Sequence, residues 1–162
     1  MKKRSFFIIL CICLLVFILA LVSCDSINSE PFSYTFRQER NNVENVEICS
    51  YQHVYNRREG GTRTPLVSLS NEEIDKLWSD MPTLECKEFF PLDPILDYGD
   101  IVIAITYSNE EVELIGIHNI GWISPDGELT TSLFYFEIKE ICAIISQYAD
   151  AKLLAKHSEY FR

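Results

Sequence analysis

The sequence predicts an α+β domain of two layers, in which a twisted antiparallel sheet of about five strands carries two helices on one face. Three observations predict this class. Strand-like segments follow one another through short turns, which favours antiparallel pairing over parallel crossovers. Helical periodicity occurs twice, after residue 70 and after residue 137. Residues 32–162 of the 162-residue chain are long enough to form one domain with its own core.

The first strands are predicted from alternation and composition. Phe32–Phe36 alternates aromatic with small polar residues, which is typical of a strand with one packed face. Val43–Tyr55 is rich in β-branched and aromatic residues, which favour strands. Gly60 and Gly61 predict a tight reversal that uses positive backbone dihedrals. Leu66–Leu69 is then predicted to return as a short strand.

The first helix has a clear beginning and end. Ser70 and Glu73 form a capping-box pattern, in which two side chains satisfy N–H groups that have no partner at a helix start. Ile74 and Leu77 follow at helical spacing and predict one apolar face. Pro82 predicts the end of the helix.

A meander of three strands is predicted next, after a further strand over Leu84–Phe90. Ile101–Ser108 is rich in isoleucine and predicts a buried strand, and a second strand runs from Val112 toward Ile123. Pro125-Asp126-Gly127 predicts a tight turn, because proline comes early and glycine late. Leu129–Phe136 is predicted to return as the third strand.

The last element is predicted to be helical. Ile138, Ile141 and Ile145 recur at three and four residues, so we expect all three to be buried against the sheet. Helical composition continues through Asp150–Lys156.

The net charge of −10 excludes some partners. Binding to nucleic acid requires lysine and arginine side chains facing the phosphates, so we expect no nucleic acid partner. Strong negative charge also disfavours adhesion to anionic lipid headgroups through the protein surface alone.

The first 24 residues have the pattern of a secretion signal. Lys2, Lys3 and Arg4 precede an apolar run over Phe6–Val22, which predicts a helix. The run has 17 residues, so its length alone also allows an uncleaved membrane-spanning helix. Both interpretations place the following domain outside the cytoplasm.

The segment Leu21-Val22-Ser23-Cys24 resembles the lipobox of bacterial lipoproteins. This resemblance implies cleavage before Cys24 and lipidation of its thiol, so that residues 1–23 are the signal peptide. Residues 24–31 are then the lipidated cysteine and a tether, and the domain is anchored by its lipid on the outer face of the cell membrane. Loss of three basic residues changes the net charge of the chain from −10 to −13.

The domain itself also resembles small α+β lipoproteins of low-GC Gram-positive bacteria. The similarity rests on a Tyr107-Ser108-Asn109 hairpin, a Pro125-Asp126-Gly127 hairpin and a closing helix. This resemblance implies a fold and a location, and it implies no activity.

Three cysteines remain after Cys24, so one disulfide at most can form within a monomer. Cys142 lies on the apolar stripe of the last helix and is predicted to be a buried free thiol. Cys49 and Cys86 are then the candidate pair, since disulfides are permitted outside the cytoplasm.

Two loops are candidate contact sites. Asp93, Asp97 and Asp100 could supply oxygen ligands to calcium, but their spacing does not match an EF-hand, so a solvated acidic loop is the main interpretation. The other candidate is the basic loop that contains Arg57, Arg58 and Arg63, which could contact an acidic partner.

The sequence contains no recognised catalytic, phosphate-binding or zinc-binding motif, so we expect no enzyme activity and no cofactor. The first hypothesis is a lipoprotein that binds another envelope protein. The alternatives are a sensor of calcium or a small ligand, and an envelope enzyme in which His53 or His118 meets a carboxylate. The aromatic residues predict a core, or a protein or glycan contact surface where they are exposed. They are Phe32, Tyr34, Phe36, Phe89, Phe90, Trp122, Phe134, Tyr135 and Phe136.

Overall fold

The computed structural model describes residues 30–52, 61–88, 100–131 and 134–162, and Pro31–Arg162 forms one compact unit. The helix predicted over Phe6–Val22 lies outside the described residues. The strands are β1 (Phe32–Ser33), β2 (Val43–Gln52), β3 (Thr62–Ser68), β4 (Glu85–Glu88), β5 (Ile101–Tyr107), β6 (Val112–Gly116), β7 (Ile120–Ile123), β8 (Leu129–Thr131) and β9 (Phe134–Phe136). The α-helices are α1 (Asn71–Asp80), α2 (Ile138–Ile145) and α3 (Ala151–His157).

The strands form two antiparallel sheets, which confirms the predicted α+β class. The larger sheet has six strands in the order β3-β2-β5-β6-β7-β8. The smaller sheet has three strands in the order β1-β4-β9. The strand predicted over Leu129–Phe136 therefore contributes to both sheets, as β8 and β9.

The helices share one hydrophobic core with one face of the larger sheet. Helix residues such as Leu77 and Ile145 belong to the same buried cluster as Ile103 of β5. The smaller sheet contributes Cys86 and Phe136 to this cluster, so it packs against the same core. The opposite face of the larger sheet has a second buried cluster, made of Cys49, Tyr51, Val102, Ala104, Val112 and Leu114.

The predicted helix signals are confirmed at α1 and refined at α2. Ser70 accepts a hydrogen bond from the backbone of Glu73, whose side chain accepts one from the Ser70 backbone at 2.8 Å. The predicted closing helix is two helices, because the Asp150 side chain accepts hydrogen bonds from two backbone N–H groups and starts α3. Ile141 and Ile145 are fully buried as predicted. Ile138 is 39% exposed, because it lies at the margin of the buried stripe in the first turn of α2.

The second strand of the predicted meander is also interrupted. A turn over residues 117–119, closed by the Gly116 N–H and the Asn119 carbonyl at 2.8 Å, separates β6 from β7. The chain therefore reverses, and Trp122 of β7 pairs directly with Glu113 of β6. This reversal positions the candidate site.

Gly61 is needed for a close approach rather than for a positive dihedral. A Cβ atom at this position would lie 2.4 Å from the Gln52 carbonyl oxygen and 2.7 Å from the Tyr51 ring. The chain can pass β2 at this point only because glycine has no side chain.

Candidate functional site

The centre of the candidate site is a buried carboxylate. Glu113 lies in β6 between Val112 and Leu114, and its side chain is on the opposite face from theirs, toward the main core. The residue is only 2% exposed. Burying an unpaired charge has a large free-energy cost, so its partners decide what this group can do.

Three donors from two parts of the chain, the segment after β1 and the end of β5, satisfy Glu113. The Tyr34 hydroxyl donates to Oε1, and the Tyr107 hydroxyl donates to Oε2. The backbone N–H of Arg37 also donates to Oε2, at 3.1 Å. Both carboxylate oxygens are therefore engaged, and the segment after β1 is held against the sheet.

The protonation of this cluster is set by burial. Burial raises the pKa of Glu113 above its usual range, and the hydrogen bonds from Tyr107 and Tyr34 only partly offset that rise. Burial also raises the pKa values of Tyr34 and Tyr107, and the Glu113 carboxylate beside them raises these values further. Both phenols therefore remain protonated and remain donors.

A second carboxylate lies two positions earlier and behaves differently. Glu111 accepts a hydrogen bond from Arg37 Nε, and its other oxygen accepts one from Gln38 Nε2 at 3.0 Å. Burial alone raises the pKa of Glu111, but the bonds from Arg37 and Gln38 outweigh it, so the pKa lies below its usual range. Glu111 is thus held as an anion that fixes the Arg37 guanidinium.

Arg37 lies over an aromatic ring. Its guanidinium carbon is 4.5 Å from the centre of the Trp122 ring, which is a cation–π geometry. The pairing of Trp122 with Glu113 across β6 and β7 puts this ring beside the buried carboxylate. The ion pair and the stacked ring together define the orientation of Arg37.

These residues surround a cleft of about 230 Å³. Phe32 is 37% exposed, and the Arg37 side chain is 40% exposed. Tyr34, Glu113 and Ile120 are buried. The lining comes from β1, the segment after it, β6 and β7, and it is Phe32, Tyr34, Thr35, Arg37, Glu113, Ile120 and Trp122.

The geometry favours binding over proton transfer. The oxygens of Glu113 already accept three hydrogen bonds, and those of Glu111 accept bonds from two side chains. By contrast, the two terminal amino groups of Arg37 have no acceptor among the described residues. The cleft therefore offers apolar walls and hydrogen-bond donors to whatever enters it.

Of the residues predicted from the two loops, the structure describes Arg63 and Asp100, and neither lines this cleft. Arg63 lies in β3 opposite Tyr51, and Asp100 is exposed next to β5. In the described ranges, no group of three or more His, Cys, Asp or Glu residues could hold a metal ion. The remaining predicted residues, Cys24, Arg57, Arg58, Asp93 and Asp97, lie outside the described residues.

The candidate disulfide between Cys49 and Cys86 is not formed. Cys49 belongs to the cluster on one face of the larger sheet, whereas Cys86 belongs to the core on the other face. All three cysteines are free thiols. Burial raises the pKa of Cys49 to about 11 and that of Cys86 to about 12, so neither forms a reactive thiolate near neutral pH.

The histidines give no catalytic arrangement in the part of the chain that the structure describes. His118 Nε2 lies 3.0 Å from the Tyr160 hydroxyl oxygen, and that ring pair is at the surface. His53 lies outside the described residues.

Sequence analysis did not identify Arg37, Glu111 or Glu113. One signal was present, because Glu113 interrupts the apolar run Val112–Ile117 in the second strand of the predicted meander. A charged residue in such a run is almost never buried without partners. The sequence did not indicate the hydrogen-bond partners of Glu113, since Tyr34 lies 79 positions away from it.

Comparisons with protein-family models, with curated proteins and with solved structures found no significant match to this chain. None of the described helices is long and apolar enough to cross a membrane.

Proposed function

We propose that this chain is a lipid-anchored, non-enzymatic binding module on the outer face of a bacterial cell membrane, where it binds another protein of the envelope. The anchor rests on the leader and Cys24. The binding role is carried by one observation, the partly exposed cleft in which Arg37 is stacked on Trp122.

The composition of the cleft supports contact with a protein. Trp, Tyr and Arg are the residue types enriched where protein interfaces concentrate their binding energy. Here Trp122, Tyr34 and Arg37 lie together, with Phe32 exposed at the rim. Arg37 is already fixed by Glu111, so little side-chain freedom is lost when a partner binds.

The tether supports a partner close to the membrane. Phe32 lies eight positions after Cys24, and a fully extended chain over eight positions spans at most about 29 Å. A lipidated Cys24 would therefore keep the cleft near the bilayer, where membrane-bound envelope proteins are available. The attached acyl chains would supply stable anchoring, since two or more chains bind the bilayer firmly.

The anchor is tested by labelling cells with an alkyne analogue of palmitate. We expect the full chain to be labelled, Cys24→Ala to lose the label, and Cys13→Ala to keep it as the matched control. Label on the Cys24→Ala variant would contradict the proposed anchor.

The binding role is tested by a membrane-impermeant cross-linker on intact cells. We expect a discrete adduct between the full chain and a second protein. The variant Phe32→Ala/Trp122→Ala should give much less of it, while Lys152→Ala, which is exposed and outside the cleft lining, should give an equal amount. If Phe32→Ala/Trp122→Ala gave as much adduct as the full chain, the contact would lie on another surface.

A further inference from the structure

We infer that the cleft recognises an exposed peptide segment of its partner, which inserts one large apolar side chain between Phe32, Ile120 and Trp122 and gives a carbonyl oxygen to Arg37. This inference rests on the proposed function and names the chemistry of its partner. Three properties of the cleft lead to it.

The first property is the shortage of free acceptors. Glu113 accepts from Tyr34, Tyr107 and the Arg37 backbone, and Glu111 accepts from the side chains of Arg37 and Gln38. A sugar presents many hydroxyl donors and needs acceptors for them. The carboxylates of this cleft are already engaged, so a glycan is a poor match.

The second property is the supply of donors without excess positive charge. The terminal amino groups of Arg37 take no part in its Nε–Glu111 bond and have no acceptor among the described residues. The charge of Arg37 is already balanced by Glu111, and Glu113 lies beside it. A neutral carbonyl oxygen therefore suits this position better than a phosphate, which needs a net positive site.

The third property is size. The cleft measures about 230 Å³, whereas pockets for complete small molecules measure about 300–1,000 Å³. A cleft of this size accommodates one large side chain and the adjoining backbone. Its apolar walls, Phe32, Ile120 and Trp122, exclude water from that side chain, which gives the binding free energy.

The test places a photoreactive benzophenone side chain at position 35 of the full-length chain in living cells. Thr35 is exposed and lines the cleft, so its replacement disturbs no buried contact. A second chain carries the benzophenone at Lys152, outside the cleft lining. After irradiation, mass spectrometry identifies the molecule joined to each position and the residue to which it is joined.

We expect position 35 to join a protein segment with a large aliphatic or aromatic residue close to the cross-linked residue. In the same chain, Arg37→Ala should lower the yield at least about tenfold, which corresponds to about 1.4 kcal/mol. Arg37→Lys should also lower it, because an ammonium group that pairs with Glu111 cannot also present the two amino groups of a guanidinium. Since Arg37→Lys keeps the charge, its effect does not depend on loss of the fold.

The inference is overturned if position 35 joins a glycan or lipid, if it joins a protein segment without a large apolar residue, or if Arg37→Lys leaves its yield unchanged. Adducts with a protein from Lys152 but none from position 35 would overturn this inference and leave the proposed binding function intact. Adducts from neither position, together with no adduct from the impermeant cross-linker, would overturn both.

Discussion

One face of the larger sheet contains two regions of opposite chemistry. Under the helices, Ile103 of this face shares an apolar cluster with the helix residues Leu77 and Ile145, and all three are at most 1% exposed. Toward the segment after β1, the same face buries Glu113 between two tyrosines. The first region stabilises the fold by removing apolar surface from water. The second region needs hydrogen bonds to offset the free-energy cost of burying a charge.

The difference teaches which residues specify the fold and which specify a site. An apolar core tolerates other apolar side chains of similar volume, and it contributes stability without chemical selectivity. The polar region fixes Arg37 and Trp122 in one arrangement at the wall of a cleft, through Glu111 and the backbone bond to Glu113. We therefore expect that variants of the two regions can change the free energy of unfolding and the binding of a partner independently of each other.

The largest effect is expected in the apolar region. Leu77→Ala removes a fully buried side chain from α1 and should lower the free energy of unfolding by about 2.7–5 kcal/mol, because of lost transfer free energy and the remaining cavity. Urea denaturation measures this change. Lys152→Ala is the exposed control and should cost less than about 0.5 kcal/mol. A cost for Leu77→Ala below 1 kcal/mol would show that α1 does not cover the sheet.

Tyr107→Phe should have the next largest effect. It removes one donor from the buried carboxylate of Glu113 and should cost about 1–3 kcal/mol in the free energy of unfolding. The pKa of Glu113 should rise further, because this hydrogen bond opposes the effect of burial. Tyr160→Phe, at an exposed hydroxyl, is the matched control. Equal costs for the two variants would mean that the Tyr107 bond adds nothing to stability.

The pH dependence of stability should identify Glu113. Its pKa in the folded chain is raised above the ordinary value of 4.5, so stability should fall as pH rises from that value through the raised one. The slope for one proton is at most about 1.4 kcal/mol per pH unit. Glu111 acts oppositely, since its lowered pKa removes stability as pH falls below 4.5. Urea denaturation across pH should show the first decline in the full chain and a flatter curve in Glu113→Gln.

A variant of the N-cap of α1 should have a smaller effect on the free energy of unfolding. Ser70→Ala removes the side-chain acceptor at the start of α1 and should cost about 1 kcal/mol. Thr83→Ala is a control just beyond the same helix, with its hydroxyl bonded to one carbonyl at 2.6 Å. Urea denaturation should rank Ser70→Ala above Thr83→Ala, and the reverse order would contradict a role for the capping box.

Local signals of this kind explain how much of the fold was predictable. The Ser70–Glu73 cap and the turn before Gly127 depend on residues within four positions of each other, so the sequence displays them directly. The break before Asp150 was missed because its composition is helical, and only the side-chain cap shows that a new helix begins. The turn between β6 and β7 was missed because Ile117–Ile123 continues the apolar composition of a strand.

The candidate site was not predictable for a different reason. Tyr34 and Glu113 meet only when the segment after β1 folds over the sheet, across a separation of 79 positions. Trp122 joins them because of a pairing register that depends on the missed turn. Aromatic content predicted a core, or a contact surface where it is exposed, but the arginine and the two carboxylates beside the cleft are brought together by tertiary structure alone.

The smallest effect on stability should accompany the largest effect on binding. Arg37→Ala removes an ion pair whose arginine side chain is 40% exposed and whose Glu111 side chain is 10% exposed. Solvent screens the arginine and Glu111 keeps its bond from Gln38, so we expect a cost of about 0–1 kcal/mol. Urea denaturation should therefore show little change, while the cross-linked adduct from position 35 should fall at least about tenfold. Arg40→Ala is the control, because it removes another arginine–carboxylate ion pair, the one with Asp75, outside the cleft lining. If Arg37→Ala and Arg40→Ala leave the adduct equally intact, the arginine over Trp122 serves the fold and not recognition, and the two regions do not differ in the way argued above.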